Sequence, residues 1–331
     1  MTDKNSRFFN TLTDAARRLI GFSALAALLV TVLSFLGEMH WFLELFTHFR
    51  LQLAAAAIGM AAMAGLFRLP RSTLLFAVLS IVNLSFILPY VMPGVGEAQA
   101  RPDSIRLLAF NLSARNGDYD AFVRMIETVS PDVIGLVEVQ GRWSASLKRL
   151  EATYPYQIAR PEDGYFGLAV LSRFPLRELE GSPYSHDGLQ SAILAELELP
   201  EVTATLVVSH VMAPMSPARA ALRNAQLEGL SAFFRDDANR ARILIGDLNI
   251  TPWSPRYGVL ESRTGLRNAA RNHGYVGTWP ASPVFLRIPI DHCLVSDSFA
   301  VQHVETGPDI GSDHLPLIID VSIAEPAGRR T

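Results

Sequence analysis

Cysteine is nearly absent from this chain. The single one, Cys293, excludes an intrachain disulfide and any cysteine-rich zinc site. It leaves the compartment open, because a disulfide-free fold persists in periplasm and cytosol alike. A surplus of positive charge is also missing: 7 of the 29 Lys and Arg and 5 of the 32 Asp and Glu fall in residues 1–100, leaving 22 and 27 for the remaining 231 and a balance there of about −5. Bulk charge therefore gives no sign of a strongly basic nucleic-acid-binding surface, although a local basic groove stays open. Charge of either sign is scarce in the first 100 residues and about twice as dense after them. With 49% hydrophobic and 18% charged residues and a mean hydropathy of +0.22, the chain is too apolar for an ordinary soluble protein and too charged for one wholly embedded in lipid. A composite of the two fits.

Three uncharged runs make up the apolar part: Leu19–Gly37 (19 residues), the Ala-rich Leu51–Phe67 (17) and Ser72–Gly96 (25). At 1.5 Å per residue each approaches or exceeds a hydrocarbon layer of about 30 Å, so the expectation is a bundle of three transmembrane helices in residues 1–100. His40–Phe49, aromatic and amphipathic, reads as an interfacial helix or a connecting loop. Lys4, Arg7, Arg17 and Arg18 precede the first run, Arg68 and Arg71 lie between the second and third, and only Arg50 marks the other connection. Because positive residues stay cytoplasmic, residues 101–331 are expected outside, in the periplasm of a cell whose inner membrane holds the anchor. That orientation inverts if the middle run does not cross. None of the runs holds an internal charge, which favours an anchor over a transporter. Ala98-Gln-Ala100 has the small-x-small form of a signal-peptidase site and equally that of an ordinary linker.

Residues 101–331 read as one large domain of short β-rich runs: Ile105–Phe110, Val133–Val139, Gly167–Ser172, Ala192–Leu199, Thr203–Ser209, Arg242–Ile245, Asp291–Val295 and Leu315–Ile323. Phe122, Met125, Ile126 and Val129 have helical spacing over Asp120–Val129, and Pro131 stops that helix. A second helix is expected from Ser216 as N-cap with Pro217 at its first position, burying Leu227, Leu230 and Phe234. Strands outnumber helices while helices are interspersed, so the expected class is α/β: two packed sheets flanked by helices.

The polar residues at the strand ends carry the functional signal. Asn111, Glu138, His210, Asp247, Asn249, Asp291 and Asp313-His314 all sit where a run stops or starts, and such ends hold side chains in fixed mutual positions. Each alone is unremarkable: Asn111 suits a turn, Asp291 a cap, His210 a hydrogen-bonded strand end. Taken together they are an odd set for turns, which Gly, Ser and Pro would serve as well.

The segments Ala109-Phe-Asn-Leu112, Asp132–Glu138, Gly167–Ser172, Ser209-His210, Gly246-Asp-Leu-Asn249, Ile290-Asp-His292 and Gly311-Ser-Asp-His314 resemble, in this order, the endonuclease/exonuclease/phosphatase superfamily, which includes deoxyribonuclease I, inositol polyphosphate 5-phosphatases and neutral sphingomyelinases. The resemblance covers about Ser104 to Ile323 and implies a four-layer sandwich of two mainly antiparallel sheets between helices. It also implies metal-dependent hydrolysis of a phosphate ester. In that reading Glu138, with Asn111 beside it and Asp313 nearby, would hold Mg²⁺ or Mn²⁺ through oxygen ligands. Asp247 would position and deprotonate water, Asn249 would donate to the phosphate, and His210 and His314 would clamp or protonate its oxygens, with Asp291 fixing the tautomer of His314.

Two departures qualify the resemblance. Ser113 stands where many nuclease members carry a second Asn or Asp, which weakens a two-metal reading. His210 replaces the tyrosine-bearing pattern of abasic-site endonucleases and points toward the deoxyribonuclease, sphingomyelinase and phosphatase side. Met212–Arg219 and Arg223–Gln226 look like the membrane-anchored bacterial branch, with Arg219 and Arg223 either near substrate or simply exposed on a helix. His292 should face away from the site, Cys293 should be buried, and His186, His273 and His303 should be surface residues. The expected activity is a membrane-anchored phosphodiesterase with nuclease action. A lipid-headgroup phosphodiesterase or phosphatase is the alternative, and a non-catalytic phosphate binder the further one. The expected partners are a phosphate-ester substrate, nucleic acid or lipid headgroup, and the membrane; nothing marks a protein partner.

Overall fold

The computed structural model describes residues 2–92, 104–184, 192–237 and 241–324. It divides into two compact units, 1–89 and 90–331. The Ala98–Ala100 triplet and His186 lie outside the described residues.

The first unit is helical: α1 (Thr2–Ser34), α2 (Trp41–Glu44), α3 (Arg50–Leu66) and α4 (Pro70–Ile87). Asn10–Ser34 and Pro70–Tyr90 are long and apolar enough to cross a membrane. Helix α3 reaches that length only together with Trp41–Thr47, from which it is bent by 59°. Residues 40–49 are thus not one interfacial helix but a short helix and a 3-10 turn leading into α3. Pro70 at the first position of α4 needs no backbone donor there, which places the start of that helix. Arg50, at the head of α3, is buried. Its Nη1 donates to Asn83 Oδ1 at 3.3 Å, and its guanidinium lies 3.8 Å from the Phe86 ring. Asn83 donates in turn to Thr31 Oγ1 at 3.3 Å, so α1, α3 and α4 share a polar tie of the kind that holds helices where apolar contact gives little preference.

The second unit contains two six-stranded sheets. One runs β11-β12-β1-β2-β4-β3 and the other β5-β6-β7-β8-β10-β9. The strands are β1 (Ile105–Asn111), β2 (Val133–Val137), β3 (Tyr156–Arg160), β4 (Leu168–Ser172), β5 (Leu176–Glu178), β6 (Ala192–Glu198), β7 (Thr203–His210), β8 (Arg242–Asp247), β9 (Arg267–Asn268), β10 (Asp291–Val295), β11 (Phe299–Thr306) and β12 (Leu317–Ile323). Helices α5 (Tyr119–Val129), α6 (Ser144–Arg149), α7 (Pro217–Asp236) and α8 (Pro255–Thr264) complete the unit.

Each sheet has one parallel pair, β1 with β2 and β7 with β8, and every other pairing is antiparallel. A parallel pair needs a crossover, and the crossovers here carry α5 and α7. Both helices start as their sequences direct. Asp118 Oδ1 accepts from the Ala121 N–H at 2.9 Å, Ser216 caps the N–H of Arg219 at 3.3 Å, and Pro217 follows. The α5 helix stops at Ser130, which adopts a left-handed conformation before Pro131.

Because both faces of the central strands are covered, their residues are apolar without alternation. One core layer lies between the sheets and includes Leu107, Val133, Val170, Val208, Ile245 and Cys293. A second packs α5 and α6 on the first sheet, and a third packs α7 and α8 on the other. The sheets pack tightly at Gly135: a Cβ there would lie 2.5 Å from Ile245 Cδ1. Cys293 is a small buried residue of the middle layer, and His292 faces the opposite side.

Candidate active site

The C-terminal ends of the two parallel pairs build the site, where strands of one direction stop together. In the first sheet Asn111 is level with Val137, so Glu138 emerges just beyond it. In the second, Asp247 is level with both His210 and Asp291, which sets three chemically active residues in one row across β7, β8 and β10. His314 comes from the turn before β12.

Local backbone turns the side chains inward. Glu138, Asn249 and Ser113 have φ of 58°, 49° and 58°. A left-handed turn of this kind costs a non-glycine residue on the order of 1 kcal/mol and is held by the surrounding structure. Gly246 explains the first letter of Gly246-Asp-Leu-Asn249. Its φ is 134°, and a Cβ would lie 2.0 Å from the Ser209 carbonyl oxygen, so no side chain fits beside β7.

Asp247 is the hub. Its Oδ2 accepts from Asn111 Nδ2 at 3.1 Å and lies 3.7 Å from His210 Nε2 and 3.8 Å from His314 Nε2. Its Oδ1 accepts from the Asn249 N–H at 2.8 Å. Burial, with the charge of Asp291, pushes its carboxyl up to about 6 against the opposing pull of His314, His210 and the Asn249 N–H.

Asp291 Oδ2 lies 2.8 Å from His314 Nδ1. Burial favours the neutral acid at Asp291, but the His314 charge and hydrogen bond outweigh it and hold the carboxyl below its usual range. His314 mirrors this: burial disfavours its charge, yet Asp291, then Asp247 and Asp313, raise it to about 10. At neutral pH His314 is an imidazolium whose Nδ1–H is committed to Asp291, which leaves Nε2–H for the cleft.

His210 Nδ1 donates to the Tyr165 carbonyl at 2.7 Å, and its ring lies 5.6 Å from that of Phe166. That bond fixes the tautomer and presents Nε2 to Asp247 and to Asn249 Nδ2, 3.5 Å away. Asn249 is further held by a 2.9 Å bond from Nδ2 to the Val211 carbonyl.

Asn111 departs from expectation. Its side-chain oxygen accepts from the Ser113 N–H at 2.9 Å, a local turn, so the amide nitrogen is what faces Glu138 Oε1, at 3.0 Å. Glu138 Oε2 accepts from the Ala114 N–H at 2.7 Å. The Glu138 carboxylate is therefore oriented by two donors with lone pairs left over, a hard oxygen site that suits a divalent cation. Asp313 stands apart. It is exposed, and its Oδ2 accepts from Trp279 Nε1 at 3.4 Å.

Among the described residues, Asp247, Asp291 and His314 form a group whose ligand atoms lie within 4.8 Å of one another and could hold a metal ion. The 2.8 Å bond between Asp291 and His314 engages two of these three, which suits proton handling, whereas the oriented oxygens of Glu138 suit the cation.

Sequence reasoning missed several supports of this site. Ser312 Oγ donates to the Asn111 carbonyl at 2.7 Å and accepts from the His314 N–H at 3.0 Å, joining the two motifs. Its place inside Gly311-Ser-Asp-His314 was the available signal. Trp279, whose ring lies 6.5 Å from that of His314, had none. Of the two helix arginines, Arg219 is exposed while Arg223 is fully buried, with Nε donating to Asn224 Oδ1 at 2.8 Å. Exposure is therefore the wrong account of Arg223. His303 is exposed and His273 half-buried.

Residues 108–314 match the model of the Endonuclease/Exonuclease/phosphatase family, and the chain belongs to that family. Solved structures share the fold. The endonuclease/exonuclease/phosphatase from Bacteroides vulgatus is 17% identical, covering 67% of this chain and 99% of that one, with a TM-score of 0.55. The one from Beutenbergia cavernae DSM 12333 is 22% identical, covering 67% and 72%, with a TM-score of 0.53. D. rerio TDP2 complexed with a single-strand DNA product is 16% identical, covering 66% and 99%, with a TM-score of 0.55. A search of curated protein sequences found no match. The chain therefore has the phosphoesterase fold of its family, preceded by two or three helices apolar enough to cross a membrane.

Proposed function

We propose that this protein is a divalent-metal-dependent phosphodiesterase, anchored in the inner membrane by residues 1–100, with the domain of residues 101–331 on the periplasmic side. The observation that carries the chemistry is the triangle of Asp247, His314 and Asp291, in which a carboxylate raised to about 6 faces an imidazolium stabilised to about 10. Two groups whose pKa values are pushed apart around neutrality supply a base and an acid together.

A Mg²⁺ or Mn²⁺ ion held by Glu138, whose carboxylate Asn111 orients through its amide nitrogen, would supply neutralisation of charge on the phosphoryl oxygens. The remaining chemistry belongs to the side chains. Asp247, ionised above about pH 6, orients a water molecule and takes its proton. Asn249 donates to a non-bridging oxygen through Nδ2, and His210 does so through Nε2–H in its protonated form, since its Nδ1–H is engaged by the Tyr165 carbonyl; both side chains are held rigid by backbone carbonyls. His314 presents Nε2–H to the leaving or non-bridging oxygen while Asp291 keeps the ring charged and oriented.

The substrate read first is nucleic acid. The family's nuclease members and the fold shared with a DNA-bound relative support it, as do Trp279 and Phe166, which place aromatic rings beside His314 and His210. The second reading, a lipid-headgroup phosphodiester, is favoured by the proposed anchor, because tethering raises the effective concentration of bilayer substrate. Nicking of supercoiled plasmid by the full-length protein in Mg²⁺, abolished by EDTA and by His314→Ala, supports the first. Absence of nicking alongside release of headgroup from phospholipid vesicles supports the second.

A further inference from the structure

We infer that the turn Val284-Phe285-Leu286 is a bilayer-docking element that seats the rim of the catalytic cleft on the lipid surface. This rests on the reading that the N-terminal helices cross a membrane and is independent of what is hydrolysed.

Val284 and Phe285 are 66% and 73% exposed on a single 3-10 turn, with Leu286 completing it. Large apolar side chains that stand out in sequence are seldom left in water without a partner surface. The turn crowns a loop closed by paired backbone bonds between Trp279 and Ile288, at 3.1 and 2.6 Å. The base of the loop belongs to the active site: the Ala281 N–H donates to the Asp313 carbonyl at 2.7 Å, and the Leu315 N–H to the Thr278 carbonyl at 2.9 Å, on either side of His314. The loop is stiffened from within. Arg287 Nε donates to the Pro280 and Ala281 carbonyls at 3.3 and 3.1 Å, and Tyr275 Oη donates to the Arg287 carbonyl at 2.6 Å.

Two further exposed apolar residues belong to segments that flank His210. Tyr165, 55% exposed, is the residue whose carbonyl holds His210, and Met215, 73% exposed, lies in the turn that follows β7.

The occupant follows from chemistry and connectivity. From Thr278 to Ile290 the chain has no acidic residue, and its only charge, Arg287, is bonded to the loop's own carbonyls. The exposed tip is thus neutral and apolar, on a loop whose neck carries the aromatic Trp279, a composition that suits the boundary between headgroups and acyl chains and meets no repulsion from anionic lipid. The 14 residues from Val91 to Ser104, whatever path they take, span at most about 50 Å, so an anchored domain stays within reach of the bilayer.

The test uses the full-length protein in nanodiscs of phosphatidylcholine and phosphatidylglycerol doped with spin-labelled phosphatidylcholine. A fluorophore is attached at Phe285→Cys; the native Cys293 is buried and does not compete. The lipid quencher should remove most of the emission, aqueous iodide should have little effect, and a label at Val284→Cys should lose its lipid quenching when Phe285→Asp is added. A label at Leu25→Cys, on the apolar face of α1, reports the anchor separately. If Leu25 is quenched by lipid while position 285 is quenched only by iodide, the docking inference is overturned and the anchor stands. Protection of 285 from both quenchers overturns it in favour of a protein occupant. An unquenched Leu25 removes the anchor reading and the inference together.

Discussion

The imidazole of His314 and the carboxylate of Asp291, both buried, meet at 2.8 Å, and this contact governs the charge of His314. It turns a histidine that burial would neutralise into a stable cation, raised to about 10, while a second carboxylate, Asp247, is left 3.8 Å from the far ring nitrogen and raised to about 6. In the proposed mechanism Asp247 acts ionised and His314 protonated. The rate of phosphodiester hydrolysis against pH should therefore rise through about 6 and fall above about 10.

Asp291→Asn keeps the shape of the contact and removes its charge. The His314 pKa should fall, drawing the alkaline limb of the profile toward neutrality, and turnover should drop by about 10²- to 10⁴-fold, the range of a displaced acid or base. An alkaline limb that stays in place would separate Asp291 from the protonation of His314.

Glu138→Gln tests the metal assignment without touching the acid–base pair. Binding of Mn²⁺, followed by calorimetry, should weaken by more than about tenfold, a loss that even an outer-shell partner of a metal ligand produces. Asp313→Asn should weaken it less, since Asp313 is exposed and bonded to Trp279.

His292 is a stability switch on the far side of β10. Its Nε2 donates to the Ile250 carbonyl at 2.7 Å, its Nδ1 lies 3.2 Å from Asn268 Nδ2, and burial pushes its pKa down to about 4. The folded value is below the unfolded one of about 6.5, so the unfolded chain binds the extra proton in between. The contribution of His292 is fully present above about pH 6.5 and is lost as pH falls through about 4, a swing on the order of 3 kcal/mol. Thermal unfolding of the wild type should show a steeper acid decline than His292→Gln over that window.

Gly135 reports the contact between the sheets. Gly135→Ala places a methyl against Ile245 Cδ1 and should destabilise by roughly 1 to 3 kcal/mol, as overpacking of a tight core does. Adding Ile245→Val, which removes that atom, should recover part of the loss in denaturant unfolding.

The residues named from sequence come together because each ends or opens a strand and is followed by a turn, a pattern that pairing then converts into proximity. His210, Asp247 and Asp291 share one register level. What sequence could not convey is which strands neighbour each other. The β11 strand was missed because a register shift between Val301 and His303 breaks its period of two, and β5 and β9 because three and two residues carry no period. The Asn111 amide was assigned the wrong face toward Glu138, since a turn to the Ser113 N–H uses the oxygen first. Trp279 was invisible, being held by an aspartate 34 positions away.

The most direct measurement is hydrolysis of bis(p-nitrophenyl) phosphate by the full-length protein in Mg²⁺ and in Mn²⁺, beside an EDTA control and Asp247→Asn. Metal-dependent release of nitrophenolate is expected, abolished by both controls, while the variant keeps its thermal unfolding midpoint. Release that persists in EDTA or in Asp247→Asn, or no release from folded protein with either metal, would contradict the proposed mechanism.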